Sequence, residues 1–237
     1  MSASERADAA SMIAFARACD DIAAESSKTA KVERLAAYFR SLAGEELRAA
    51  ARFLSGNPLA ASDDRKLAIG VRTLLGAARN VWGTSDDALS AAYRETGDLG
   101  DALAAVAREP VDLGLFSETL SAAGFAAMLD EIASASGKAA GRRREGVCER
   151  AFRACREPRE VAYVVKVLTG ELRIGLREGL VLEGIARAFD REPPTVRRAA
   201  MAAGDIGEVA VAAGAGTLEA ISIRYGAPIG FMLATPV

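Results

Sequence analysis

Val32, Leu35, Ala36 and Phe39 stand at i, i+3, i+4 and i+7, and this apolar spacing recurs along nearly the whole chain. It places one stripe on one face of a helix, and it excludes most β architectures. A first stripe begins at Met12, Ile13, Phe15 and Ala16. Others run through Leu47–Leu54, Leu67–Val81, Leu89–Tyr93, Leu103–Val106, Leu120–Ile132, Val161–Leu168, Leu180–Phe189 and Ile206–Ala213. Pro58, Pro110, Pro158 and the Pro193–Pro194 pair mark boundaries. Pro158 and Pro194 fall where a helix begins, a position that tolerates the missing N–H. No strand-length period-2 alternation appears before Ile221–Arg224. The spacing therefore predicts a nearly all-α fold.

The stripes are duplicated. Leu67-Ala68-Ile69-Gly70-Val71-Arg72 matches Leu172-Arg173-Ile174-Gly175-Leu176-Arg177, and Gly97-Asp98-Leu99-Gly100-Asp101 matches Gly204-Asp205-Ile206-Gly207-Glu208. The stretch from Glu46-Leu47 to Leu54-Ser55-Gly56 matches that from Glu160-Val161 to Leu168-Thr169-Gly170. All three pairs keep the same order. The prediction is one multi-helix domain of two pseudo-two-fold related halves, about 1–115 and 116–225, followed by a linker at 226–237.

With 51% hydrophobic and 26% charged residues in 237, the chain is long and apolar enough for a real core and unlike a disordered one. No uncharged stretch reaches the roughly 18 residues of a membrane helix. The N-terminus lacks a basic region ahead of an apolar one, so no secretory signal is expected. Cys19, Cys148 and Cys155 are odd in number and without CxxC spacing; reduced, buried thiols in a cytoplasmic protein are expected. Zero histidines exclude His-based triads and His-ligated metals. Net charge is −2, but it is uneven. From Ser134 to Ala200 there are 15 basic and 9 acidic residues, a net of +6, against 15 and 23 elsewhere, a net of −8. A basic segment within an acidic chain points to an anionic partner.

Three features could meet such a partner. Asp98 and Asp205 are N-cap residues with Asp101 and Glu208 three positions on; they read as helix caps or as helix starts aimed at phosphate. The capping reading is favoured, because a capping carboxylate repels phosphate. Arg173 and Arg177 flank Gly175; the segment reads either as a site where the bare backbone lets a partner close and the guanidinium forks take phosphates, or as a helix–helix turn with solvated arginines. The first copy has Ala68 in place of Arg173, so the halves should contact a partner unequally. Finally, Lys138, Arg142, Arg143 and Arg144 precede one helix, as Lys28 and Lys31 do in the first half. No phosphate-binding glycine motif, no HExxH and no nucleophile with a base is present.

Leu168-Thr169-Gly170-Glu171-Leu172-Arg173-Ile174-Gly175-Leu176, with Val181-Leu182 and Ala186-Arg187-Ala188-Phe189, resembles the signature of the N-terminal DNA-binding domain of ATP-dependent DNA ligases. That family also has a Gly-Asp-Leu-Gly segment, a serine- and lysine-bearing start to an early helix (here Ser27 to Lys31) and a closing Pro-x-x-x-Met-Leu-Ala element (here Pro228 to Ala234). The resemblance implies an all-helical, sequence-independent binder of duplex or nicked DNA, acting from the minor-groove side and positioning strand ends in replication, repair or recombination. It implies DNA contacts at Arg173 and Gly175 with Arg177 close by, and equivalent roles for Lys31 and Arg144. The family's adenylated lysine lies in a Lys-x-Asp-Gly motif, which this chain lacks. The chain alone is therefore expected not to bind ATP or ligate. ATP and Mg belong to the catalytic domain, and the ligase's own adenylation and OB-fold domains are the expected protein partners. A fragment and a stand-alone protein both fit, in the cytoplasm, nucleoid-associated if prokaryotic, and away from membranes. The remaining reading is a helical protein-interaction scaffold without DNA binding, which the overall acidity favours.

Overall fold

A computed structural model describes residues 3–107 and 119–223. The described residues form thirteen α-helices and no sheet. They are α1 (Ala3–Ala9), α2 (Met12–Ala24), α3 (Lys28–Arg40), α4 (Gly44–Ser55), α5 (Val71–Trp82), α6 (Asp86–Thr96), α7 (Leu99–Val106), α8 (Ala122–Ser134), α9 (Ala140–Ala154), α10 (Pro158–Thr169), α11 (Glu178–Ala188), α12 (Pro193–Ala203) and α13 (Ile206–Ala215). The fold is all-α, as the periodicity requires. No described helix is long and apolar enough to cross a membrane.

Local chemistry explains the boundaries. Ser27, Ser85 and Ser121 accept a backbone N–H three residues on, at 3.4, 3.3 and 3.0 Å, and so open α3, α6 and α8. Pro158 and Pro193 occupy the first positions of α10 and α12. Two boundaries differ from the sequence reading. The stripe starting at Leu67 becomes helical only at Val71. Residues 221–223, which begin the alternating stretch, follow a short 3-10 turn, Leu218–Ala220, and pair with no strand. Pro110 and the Pro228–Ala234 element lie outside the described residues, as does the expected linker at 226–237.

The chain forms two compact units. Unit 1 comprises Met1–Asp20 and Arg65–Ile174, and unit 2 comprises Asp21–Asp64 and Gly175–Val237. The units do not follow the halves 1–115 and 116–225. In unit 2, α3 packs on α11 and α4 on α13. In unit 1, α9 packs on α5 and α10 on α7. Two helices of each repeat thus complete the core formed by the other repeat's helices.

The duplication is visible in the backbone. Ala68 and Arg173 share left-handed φ values of 47° and 54°. Gly100, three residues past Gly97, lies so close to α10 that a Cβ there would stand 2.6 Å from the Ala162 carbonyl oxygen. Gly207 lies against α4 in the same way, 2.7 Å from the Arg48 carbonyl oxygen. A further match went unread in the sequence. Met12, Phe15, Cys19 and Ile22 of α2 and Ala122, Phe125, Leu129 and Ile132 of α8 are buried in one register. Their N-cap residues, Ser11 and Ser121, face each other in an isolated antiparallel bridge. Met12 N–H donates to the Leu120 carbonyl at 2.7 Å, and Ala122 N–H to the Ala10 carbonyl at 2.9 Å.

A candidate nucleic-acid interface

In unit 1 the loop after α10 is held by its apolar residues. Leu172 and Ile174 are buried and leave Arg173 between them 55% exposed. The guanidinium then bends back onto the cap of α7. Nη1 donates to the Gly97 carbonyl at 3.2 Å and lies 3.6 Å from Asp98 Oδ2, while Nη2 donates to Glu171 Oε2 at 2.8 Å. The Glu171 hydrogen bond, then the Asp98 charge, raise the Arg173 pKa above its ordinary value. Its positive charge is permanent, and a phosphate that takes it competes with Glu171. Such a solvent-exposed pair is screened and adds little to stability.

The two motifs read separately in the sequence therefore meet here. Asp98 caps α7 by accepting the Asp101 N–H at 3.1 Å. Lys166 Nζ donates to Asp101 at 2.9 Å and stands 3.7 Å from Asp98. In unit 2 the equivalent Asp205 accepts the Gly207 N–H at 2.9 Å and both arms of the Arg52 fork, at 2.9 and 2.6 Å. Here Gly204 O accepts from the Ala61 N–H at 3.0 Å. Both Gly-Asp segments are thus helix caps neutralised by a cation of the packed helix. Sequence reasoning missed Lys166 and Arg52. They stand at matching places in the Glu46–Gly56 and Glu160–Gly170 repeats, and that register was the available signal.

Unit 2 holds the second cationic group. Lys28 and Lys31 lie in the first turn of α3, not ahead of it. Gly175 has φ +68°, and a Cβ there would lie 2.9 Å from Lys31 Nζ. The bare backbone at Gly175 is what lets the ammonium sit against it. Arg177 is the exposed N-cap residue of α11, and Lys28 is also exposed.

The third group belongs to unit 1 and is put to more local use. Arg142, Arg143 and Arg144 lie inside α9, which begins at Ala140. Arg144 donates to the carbonyls of Ile132, at 3.4 Å, and Ala135, at 2.8 Å, and Arg143 donates to that of Ser136. These close the C-terminus of α8, where unsatisfied carbonyls attract cations. Lys138 and Arg142 are exposed. The burial register also changes one equivalence. Leu35, Ala36 and Phe39 of α3 stand where Val147, Cys148 and Ala151 of α9 do, so Lys31 matches Arg143 and Glu33 matches Glu145. Arg144, the counterpart of Lys31 that the resemblance implies, stands one residue further on. Arg173, Lys138, Arg142, Arg143 and Arg144 thus belong to unit 1, and Gly175, Arg177, Lys28 and Lys31 to unit 2.

The described residues thus form a duplicated all-α fold, with an arginine loop on one helix cap and Lys31 seated on a bare glycine. The family model described as "DNA ligase N terminus" matches residues 11–186, and the chain belongs to that family. It is similar to the "Probable DNA ligase" of Koribacter versatilis (strain Ellin345), 41% identical over 224 residues, covering 94% of this chain and 37% of that protein. It is similar to the "DNA ligase" of Archaeoglobus fulgidus, 31% identical, covering 93% of this chain and 40% of that protein. The "DNA ligase" of Methanosphaerula palustris is 34% identical with the same coverage. The chain thus spans roughly two fifths of the length of these relatives.

Proposed function

We propose that this chain binds duplex and nicked DNA without sequence preference and positions it for ATP-dependent ligation in replication, repair or recombination. The rest of that chemistry, with ATP and Mg, is assigned to adenylation and OB-fold domains like those implied by the family. The observation that carries the reading is Arg173. A left-handed backbone between two buried apolar residues holds a permanent cation out in solvent. Lys28, Lys31, Gly175 and Arg177 supply a second contact group in unit 2, and Lys138 and Arg142 a third in unit 1, with Arg143 and Arg144 shaping the segment beneath them. Each phosphate neutralised releases counterions, so affinity should fall steeply with salt. The contribution to ligation is positioning of the strand ends.

The test is fluorescence-anisotropy binding of a nicked duplex over a salt series. Wild type should bind more weakly as salt rises, and Arg173→Ala should lower the slope of log K against log salt by about 0.9, one phosphate's worth. A folded protein that binds no duplex at low salt would overturn the reading. It would leave a helical protein-interaction scaffold, consistent with the net of −8 outside the basic segment.

A further inference from the structure

Tyr93 stands in the apolar stripe of α6, four residues after Leu89, where helical spacing predicts burial. Leu89 is buried at 4% exposure, but Tyr93 is 50% exposed, one of few large apolar side chains left in solvent. It belongs to the turn that Arg173 grips. The Tyr93 carbonyl accepts the Gly97 N–H at 2.9 Å, and the Gly97 carbonyl accepts Arg173 Nη1 at 3.2 Å.

The repeat supplies an independent observation. α12 is the counterpart of α6, with Val196 and Ala199 buried where Leu89 and Ala92 are, and Gly204 capping it as Gly97 caps α6. In that register Tyr93 corresponds to Ala200, as Arg173 corresponds to Ala68. The first repeat therefore carries Tyr93 and Ala68 and the second carries Arg173 and Ala200, and the fold brings the exposed aromatic of one repeat and the exposed arginine of the other to the same Gly97 turn. The shared backbone needs neither side chain. Their joint presence marks a surface use.

We propose that Tyr93 is a further DNA-contacting residue, its ring packing on the deoxyribose beside the phosphate taken by Arg173. An aromatic ring offers an uncharged apolar face to the sugar, and the arginine takes the adjoining charge. This rests on the DNA-binding reading, and the experiment separates the two. Nicked-duplex affinity of the full chain is measured over a salt series for wild type, Tyr93→Ala, Tyr93→Phe and Arg173→Ala, with thermal melting of each. Ala200 in the equivalent turn indicates that Tyr93→Ala keeps the fold. Tyr93→Ala should weaken binding about tenfold at every salt concentration with the salt slope unchanged, because a buried ring releases no counterion. Tyr93→Phe should bind like wild type. Unaltered affinity in Tyr93→Ala, or equal losses in both variants, overturns the proposal while leaving the DNA-binding reading standing. No binding by wild type overturns both.

Discussion

Arg173 and Ala68 occupy the same left-handed position in the two repeats. A left-handed L-residue costs roughly 1–2 kcal/mol, and here the neighbouring buried residues hold it in place. The Arg173→Ala variant therefore tests charge without confounding the backbone. Gly175 is the opposite case. At φ +68° and with Lys31 Nζ 2.9 Å from where a Cβ would stand, Gly175→Ala should cost roughly 1 kcal/mol and push the ammonium off the loop. Thermal denaturation should show the loss, and duplex binding should weaken with a shallower salt slope. The three cysteines are free and buried. Burial pushes the Cys148 thiol up to about 12 and raises Cys19 and Cys155 well above the ordinary range. A disulfide-exchange reagent at neutral pH should therefore find no thiolate in the native protein and three after denaturation. Rapid native labelling would contradict the burial.

The α7–α10 and α13–α4 pairs use one device twice: a glycine two residues past a capping aspartate lets the packed helix come close, and a cation of that helix neutralises the cap. Gly100→Ala would place a Cβ 2.6 Å from the Ala162 carbonyl, and Gly207→Ala 2.7 Å from that of Arg48. Backbone cannot give way as a side chain does, so each should destabilise by about 1–3 kcal/mol; wild-type urea midpoints in both variants would refute this. Burial raises the Asp205 pKa, but the Arg52 hydrogen bonds and charge outweigh it, with help from the Gly207 N–H, and the net value is lowered. A depressed carboxyl contributes stability above its unfolded pKa, about 3.9, and loses it as pH falls through the folded value. Arg52→Met should cost about 2 kcal/mol at neutral pH and less below pH 3, because the stranded carboxylate is then protonated. Glu160 has the reverse sign. Burial raises its pKa despite the N–H groups of Arg156 and Glu157, at 2.6 and 3.1 Å, and Oε1 is buried with no hydrogen-bond partner. Its contribution is therefore greatest below the unfolded pKa and falls as pH rises through the folded one. Glu160→Gln should leave stability at pH 7 equal or higher, as denaturant titration would show.

Across the whole chain the compact units and the repeats divide the sequence differently. Unit 2 takes α3 and α4 from the first repeat and α11 to α13 from the second, while unit 1 joins α9 and α10 to α5 to α7. Cutting the chain at the repeat boundary, near 115, would strip each core of two helices. Neither piece should fold: each alone should show little cooperative melting, and mixing the two should restore it. The uneven charge acts at this level as well. The +6 of Ser134–Ala200 is spread over both units, because the boundary at Ile174/Gly175 cuts through it.

The helices, their serine and proline starts, and the duplication were legible because periodicity and capping act over a few residues, within reach of the chain's own neighbours. The arginine loop was legible for the same reason: Leu172, Arg173 and Ile174 alternate. What the sequence left open was the choice of partners. The two repeats present apolar faces of the same kind, so α3 matches α5 as well as α11, and only burial of the whole core selects α11. That selection seats Lys31 on Gly175, gives Asp98 and Asp205 the cations Lys166 and Arg52, and sets Arg144 on the end of α8. It also leaves Tyr93 in solvent, although its spacing reads as core. Such contacts join residues far apart along the chain, and their energies exist only once the faces have met.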